Sequence, residues 1–144
     1  MKLIEHILDR KGHHVWTVGP DDTVLHALEE MARRDIGAVV VVENKRLVGL
    51  LTERLYARNV FLKGRASPTT RIRDVMNADP IVVSPKHRID EGMAIMTEKR
   101  VQYLPVLDKG QIVGIVSIGD LLKTVLANTA FDVEQLVAYI GQPR

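Results

Sequence analysis

The chain has 144 residues, of which 46% are hydrophobic and 26% are charged, a composition that supports a buried core and excludes a disordered chain. The 20 Lys and Arg and 18 Asp and Glu give a net charge of +2, and the two signs are interspersed, whereas a nucleic-acid binder usually gathers basic charge on one face. The absence of cysteine excludes disulfides, thiol nucleophiles and thiolate metal sites, and it fits a reducing cytoplasm.

The N-terminal residues mix charged with apolar side chains, which predicts an amphipathic helix over residues 3–9 and no signal peptide. The most apolar stretch, residues 36–42, is much shorter than the ~20 residues that a membrane span needs. We therefore expect a cytoplasmic protein with no membrane partner.

The chain contains an internal repeat. Residues 18–56 align without a gap on residues 83–121, and the classes of apolar, turn and polar residues recur although few residues are identical. The first copy predicts a strand at 15–18, a helix through Val24, Leu28 and Met31, strands at 38–42 and 47–51, and a helix at 53–62. The second copy predicts the same order, with strands at 81–83, 104–107 and 112–116 and helices through Ile89 and over 118–126.

The predicted fold class is α/β (α+β), built from two βαββα units that pack around a pseudo-twofold axis. Each unit of ~50 residues buries too little surface to be comfortable alone, so the two sheets are expected to pack together. Residues 63–70 (KGRASPTT) read as a linker, which divides the chain into residues 1–65 and 66–144. A further helix is predicted at residues 132–140, after the second unit.

The segment LPVLDKGQIVGIVSIGDLL, residues 104–122, resembles the CBS (cystathionine β-synthase) domain, and the tandem pair resembles the Bateman module. With TER at 52–54 and SIGD at 117–120, the whole chain is similar to small stand-alone bacterial members. The resemblance implies a regulatory module that binds an adenine nucleotide in the cleft between the repeats. It also implies pairing of two chains, and it leaves room for an unidentified regulated protein.

The candidate site begins where a strand meets a helix, at residues 114–120. Free N–H groups at a helix start favour an anion, and an ionised Asp120 accepts hydrogen bonds as a ribose diol requires. The alternative is a capping box, in which Ser117 and Asp120 only satisfy their own helix. Ser117 could also contact sugar or phosphate, and Gly119 leaves room for the ligand. The predicted contacts at this junction are Val116, Ser117, Ile118, Gly119 and Asp120.

The first copy has Thr52 and Leu55 at the positions of Ser117 and Asp120. Leucine cannot accept a hydrogen bond from a ribose, so we expect one good nucleotide site per chain. A second site, at Thr52, Leu55, Asn77 and Ile81, is expected to be degenerate or empty.

The resemblance places residues 11–16 opposite Asp120. It implies contacts from Lys11, Gly12, His14, Trp16, Gly37, Ala38, Arg54 and Tyr103. Trp16 could instead be a core residue and Lys11 a solvated charge. We predict no metal site, because the adjacent His13 and His14 point apart.

Many relatives carry Arg or His for phosphate where this chain has Gln102 and Tyr103. Arg54 and then Arg100 are the remaining candidate cations near the cleft, unless both are only exposed surface charges. Few fixed cations favour AMP, or the adenylate half of NAD(H), over ATP.

Three other functions were weighed against ligand sensing. No nucleophile or paired-acid motif predicts an enzyme. The basic linker lacks the interleaved aromatic residues of a nucleic-acid binder, so no nucleic-acid partner is expected. A ligand-independent interaction scaffold remains the alternative. Apolar residues on the closing helices predict a homodimer; they are Tyr56, Phe61, Leu121, Leu122 and Val125.

Overall fold

A computed structural model describes residues 2–140 of the chain. Its helices are α1 (Ile4–Lys11), α2 (Val24–Arg34), α3 (Glu53–Tyr56), α4 (Ile89–Lys99) and α5 (Ile118–Ile140). Its strands are β1 (Thr17–Val18), β2 (Ala38–Glu43), β3 (Arg46–Thr52), β4 (Tyr103–Asp108) and β5 (Gln111–Ser117). This arrangement confirms the predicted α/β class, and the order helix, strand, strand, helix recurs in both repeats.

Each repeat contains an antiparallel hairpin, β2–β3 or β4–β5, and β1 adds in parallel to β2. The hairpins turn through two residues with positive φ, namely Asn44 and Lys45 at 52° and 65°, and Lys109 and Gly110 at 52° and 79°. Two left-handed residues are the signature of the tight turn whose twist matches that of the strands.

The two sheets face each other. Ala38, Val40 and Leu50 of the first repeat are buried against Tyr103 and Ile115 of the second. The contact removes an apolar face from each sheet, which supplies the burial that one repeat lacks.

The two cores are interleaved along the chain. Helix α1 precedes the first repeat, yet Ile4, Ile7 and Leu8 lie in the core of the second. Conversely, Ile72 and Val75, which precede the second repeat, lie in the core of the first. Each core therefore contains residues from both sides of residue 65, and the division into residues 1–65 and 66–144 stays a prediction.

The second repeat lacks the strand predicted at residues 81–83. Only Val83 bridges β4: its N–H donates to the Pro105 carbonyl at 3.0 Å, and its own carbonyl accepts from the Leu107 N–H at 2.9 Å. A longer parallel ladder would need an N–H at position 105, which proline does not have. In the first repeat the equivalent Val40 N–H donates to the Trp16 carbonyl at 3.4 Å, beside β1. The predicted strand at 15–18 is shorter than expected, covering Thr17–Val18.

The closing helices also differ from the prediction. The helices predicted at 118–126 and 132–140 are one continuous helix, α5, because residues 127–131 contain neither glycine nor proline to interrupt it. The closing helix of the first repeat starts as α3 and continues as a π-helical turn over Ala57–Phe61.

The packing of α1 against β5 can be tested at Gly114. A methyl group there would lie 2.5 Å from Leu8 Cδ2 and 2.9 Å from Cδ1. Because Leu8 is buried, we expect Gly114→Ala to lower the free energy of unfolding in urea by about 1–3 kcal/mol. At Gly119 the nearest atom to such a methyl is Ser117 Oγ at 3.6 Å, so Gly119→Ala should change stability by less than about 1 kcal/mol. Equal losses in the two variants would contradict this packing.

Candidate functional site

A cavity of about 460 Å³ lies between the two repeats, and we name it the Asp120 cavity. Its volume is in the range of small-molecule sites in proteins, roughly 300–1,000 Å³. It is lined by Lys11, Gly12, His14, Trp16, Asp35, Ile36, Gly37, Ala38, Val40, Tyr103, Ile115, Ser117 and Asp120. Residues from both repeats and from the 11–16 segment therefore meet around one space.

The carboxylate of Asp120 lies at the junction of β5 and α5. The Ser117 N–H donates to Asp120 Oδ2 at 2.8 Å, and the Asp120 N–H donates to Ser117 Oγ at 3.1 Å. These reciprocal bonds form a capping box at the start of α5. Lys11 Nζ also donates to Oδ2, at 2.7 Å, and to the Ile115 carbonyl at 3.1 Å. Among residues 2–140, Oδ1 has no hydrogen-bond partner, so the cap leaves one oxygen available.

Asp120 is ionised under ordinary conditions. Partial burial raises the pKa of this carboxyl, but the hydrogen bonds from Lys11 and from the Ser117 N–H outweigh burial, and the pKa lies below its usual value. A carboxylate in this state accepts hydrogen bonds and donates none, as recognition of hydroxyl groups requires.

Trp16 lies at the wall of the cavity and is partly exposed. The Arg34 guanidinium lies 3.7 Å from the Trp16 ring centroid, and the His14 ring meets it edge-on at a centroid distance of 4.0 Å. Trp16 is thus not a core residue, and a cation already covers one face of its ring, while its role in ligand binding stays a prediction.

Gly37 and Tyr103 separate the Asp120 cavity from a second one. A methyl group at Gly37 would overlap the Tyr103 hydroxyl, so only glycine lets this phenol lie there. Burial, with smaller effects from the charges of Glu53 and Asp120, raises the pKa of Tyr103. The phenol therefore stays neutral and can donate a hydrogen bond to a ligand.

The second cavity, about 300 Å³, is named the Leu55 cavity. It is lined by Gly37, Leu50, Thr52, Glu53, Arg54, Leu55, Arg58, Asn77, Pro80, Ile81, Arg100, Val101, Gln102 and Tyr103. The Thr52 hydroxyl accepts from the Leu55 N–H at 3.1 Å, which repeats the cap of α5 without its carboxylate. The four residues predicted for the second site are thus brought together.

Several residues predicted for the Asp120 site lie elsewhere. Arg54 lines the Leu55 cavity and donates to the Arg100 carbonyl at 3.3 Å, so its assignment to Asp120 is corrected. Arg54 is the equivalent of Gly119 in the first repeat. It therefore lies at the helix start beside the Leu55 cavity and not at the helix start that carries Asp120. Val116 is fully buried in the core because neighbouring strand residues face opposite ways. Neither Ile118 nor Gly119 is among the residues that line the Asp120 cavity.

Asp35 and Ile36 in the Asp120 cavity, and Arg58 in the Leu55 cavity, were not predicted from the sequence. Asp35 ends α2 in a left-handed conformation, with φ 53°, and Arg100 ends α4 in the same way, with φ 55°. Positions 35 and 100 are equivalent in the two repeats. Because Arg100 was already a candidate near the cleft, this equivalence could have identified Asp35.

Within the described part of the chain, no three potential metal-ligating side chains cluster together. Between residues 2 and 140, no helix has both the length and the apolar character that crossing a membrane requires.

Comparisons with known proteins agree with the repeat. The sequence profile of the CBS domain family matches residues 5–58 and again residues 72–127. The CBS domain-containing mitochondrial protein CBSX3 of Arabidopsis thaliana is 38% identical over 135 residues, which cover 90% of this chain and 65% of that protein. The chain thus spans less than two thirds of that relative.

Two solved structures illustrate the likeness in three dimensions. A protein with CBS domains from Burkholderia ambifaria MC40-6 has 43% identity and a TM-score of 0.84, over 88% of this chain and 95% of that one. The CBS domain pair of protein MJ0100, solved in complex with 5′-methylthioadenosine and S-adenosyl-L-methionine, has 19% identity and a TM-score of 0.79, over 89% and 98% of the two chains. At 19% identity, the similarity to the MJ0100 domain pair shows a shared fold.

The charge state of Asp120 gives stability a defined pH dependence. Because its folded pKa lies below the unfolded value of about 3.9, the ionised contacts stabilise the protein above that value, and this contribution is lost as the pH falls through the folded pKa. We expect Asp120→Asn to lower the free energy of unfolding at neutral pH and the difference from wild type to shrink below about pH 4. Urea unfolding across this range measures it, with Asp108→Asn at the exposed end of β4 as the control. A difference that is independent of pH would contradict the assignment.

Proposed function

The chain belongs to the CBS domain family, and we propose that it is a regulatory module that binds an adenine nucleotide in the Asp120 cavity. AMP is the preferred candidate, with NAD(H) and ATP as the other adenine nucleotides considered. The observation that carries the proposal is the ionised Asp120 carboxylate, which is anchored through Oδ2 and lines a cavity of ligand size. The cap and the ligand site are therefore compatible.

The proposed orientation follows from the groups around the cavity. The ribose hydroxyls donate to Asp120, and the base lies against Ala38 and the 11–16 segment. Lys11 is left to meet a phosphate. Adenosyl ligands are held by the same fold in the MJ0100 domain pair, which supports this class of ligand.

The charges in the Asp120 cavity favour a ligand with little phosphate. Of the described lining residues, Lys11 is the one permanent cation, and Asp35 and Asp120 contribute two carboxylates. A triphosphate would bring at least three negative charges to this balance. We therefore rank AMP above ATP.

The proposed mechanism is a change in packing between the repeats. Gly37 belongs to the first repeat and Tyr103 to the second, and both line the cavity. A ligand that contacts both sides shifts the population of relative arrangements by its differential affinity for them. A regulated protein that touches the outer helices would respond to that shift, and no catalytic step is involved.

We also propose that a second copy of the chain covers the exposed apolar residues of the closing helices. Phe61 and Leu62 are 68% and 73% exposed, and Leu126 and Phe131 on α5 are 66% and 59% exposed. Large exposed apolar side chains that recur along helices are typical of protein interfaces. Leu121, which the sequence analysis assigned to this surface, is instead fully buried in the core.

The alternative function is a ligand-independent scaffold, and Asp120→Ala distinguishes the two. We expect this variant to weaken AMP binding about thirtyfold, because the charged hydrogen bonds to ribose are worth about 2 kcal/mol. Isothermal titration calorimetry measures the affinity, and Asp108→Ala at the exposed end of β4 is the control of equal charge. Failure of the folded wild-type chain to bind AMP, NADH, ATP or S-adenosylmethionine would favour the scaffold.

The proposal of one site per chain predicts a gain of function at Leu55. This residue follows Thr52 as Asp120 follows Ser117, and the Leu55 N–H already donates to Thr52 Oγ1. An aspartate at this helix start suits the capping box and supplies the missing acceptor. We expect Leu55→Asp to raise the calorimetric stoichiometry of AMP from one to two per chain. Leu55→Asn is the uncharged control, and a folded Leu55→Asp variant that still binds one AMP would contradict the explanation.

A further inference from the structure

Lys11 forms an ion pair with the Asp120 carboxylate, which is the group that the proposed ligand would bind. Its ammonium lies 2.7 Å from Asp120 Oδ2 and 3.1 Å from the Ile115 carbonyl oxygen. The pair is only partly exposed, with 38% of the Lys11 side chain and 19% of the Asp120 side chain accessible. Partial burial limits the screening of this pair by solvent and salt.

Asp120 Oδ2 has little capacity for a third donor. It already accepts from the Ser117 N–H and from Lys11, whereas Oδ1 has no partner within residues 2–140. A ribose diol carries two neighbouring hydroxyls, and bidentate binding places one on each carboxylate oxygen. Lys11 and the second hydroxyl therefore compete for Oδ2.

The Lys11 side chain can move while its backbone stays in place. Helix α1 is fixed by Ile4, Ile7 and Leu8, which are at most 2% exposed. Beyond it, Gly12 has φ 104° and no atom within 4 Å of the position a Cβ would take, so the space beside the helix end is open. A flexible four-carbon stem in such a place can redirect its ammonium at small cost.

Among residues 2–140, neither of the neighbouring arginines Arg10 and Arg34 is placed to take over the role of Lys11. Arg34 is held over the Trp16 ring at 3.7 Å, and Arg10 donates to Thr124 Oγ1 at 2.6 Å, away from the cavity. The Ile115 carbonyl is a neutral acceptor and compensates only part of a lost carboxylate.

We propose that Lys11 is a specificity-determining residue that selects adenosyl ligands by the charge next to the sugar. This inference rests on the proposed function of the Asp120 cavity. A nucleoside monophosphate displaces Lys11 from Oδ2 and provides a phosphate as its new partner. Neutral adenosine also breaks the ion pair but provides no replacement, so its binding is penalised.

The test compares AMP with adenosine by calorimetry, in wild type and in Lys11→Met. Methionine keeps the length and apolar character of the stem and removes the charge. We expect AMP to bind about tenfold more weakly and adenosine about threefold more tightly, so that the AMP-to-adenosine affinity ratio falls about thirtyfold. Lys11→Arg should retain most of the ratio, and Lys45→Met, in the exposed β2–β3 turn, should not change it. An unchanged ratio in Lys11→Met would overturn the proposal.

Asp120→Asn, measured in parallel, separates this proposal from the proposed function. If AMP and adenosine bind to wild type and both weaken in Asp120→Asn, the proposed site stands, and the Lys11→Met ratio decides the role of Lys11 alone. If wild type binds neither ligand, or if Asp120→Asn binds both as well as wild type does, the proposed function and the role of Lys11 fail together.

Discussion

The reciprocal hydrogen bonds between Ser117 and Asp120 are the constraint on which the rest of the site depends. They fix the start of α5 and hold a carboxylate at the edge of the cavity between the repeats. Because the cap uses Oδ2 alone, the same residue can end the strand-to-helix turn and still present an acceptor to the cavity. The same geometry therefore serves both helix capping and ligand recognition. The cap fixes the orientation of the carboxylate before a ligand binds.

The interleaving of the two cores explains how one cavity gathers residues from distant parts of the chain. Helix α1 is buried in the second repeat, so the 11–16 segment must cross from the second repeat to β1 in the first. That crossing brings Lys11 beside Asp120, more than a hundred positions later in sequence. The pseudo-twofold equivalent, over residues 76–81, reaches the Leu55 cavity in the same way. The cavities share a scaffold and differ in charge. Two carboxylates and one lysine line the Asp120 cavity, whereas three arginines and one carboxylate line the Leu55 cavity.

The residues placed opposite Asp120 were implied by the resemblance to the CBS domain. The repeat and both hairpins could be predicted from sequence, because apolar periodicity and turn residues are local signals. Features that depend on contacts between distant segments could not. Pro105 shortens the sheet of the second repeat only because Val83 lies beside it. The apolar pattern of α1 predicts a helix with one buried face, but it does not show that this face packs in the core of the second repeat. Arg54 was assigned to the wrong cavity because the sequence alone does not show which face of a helix start meets which repeat. The roles of Lys11 and Asp120 in binding remain proposals.

In the proposed mechanism, the Asp120 carboxylate exchanges Lys11 for a ribose when an adenine nucleotide binds. A crystal structure of the chain grown with saturating AMP tests this exchange. We expect ribose hydroxyls on both oxygens of Asp120, with Lys11 Nζ turned from Oδ2 towards the phosphate. A cavity without nucleotide, in which Lys11 and the Ser117 N–H still share Oδ2, would contradict it.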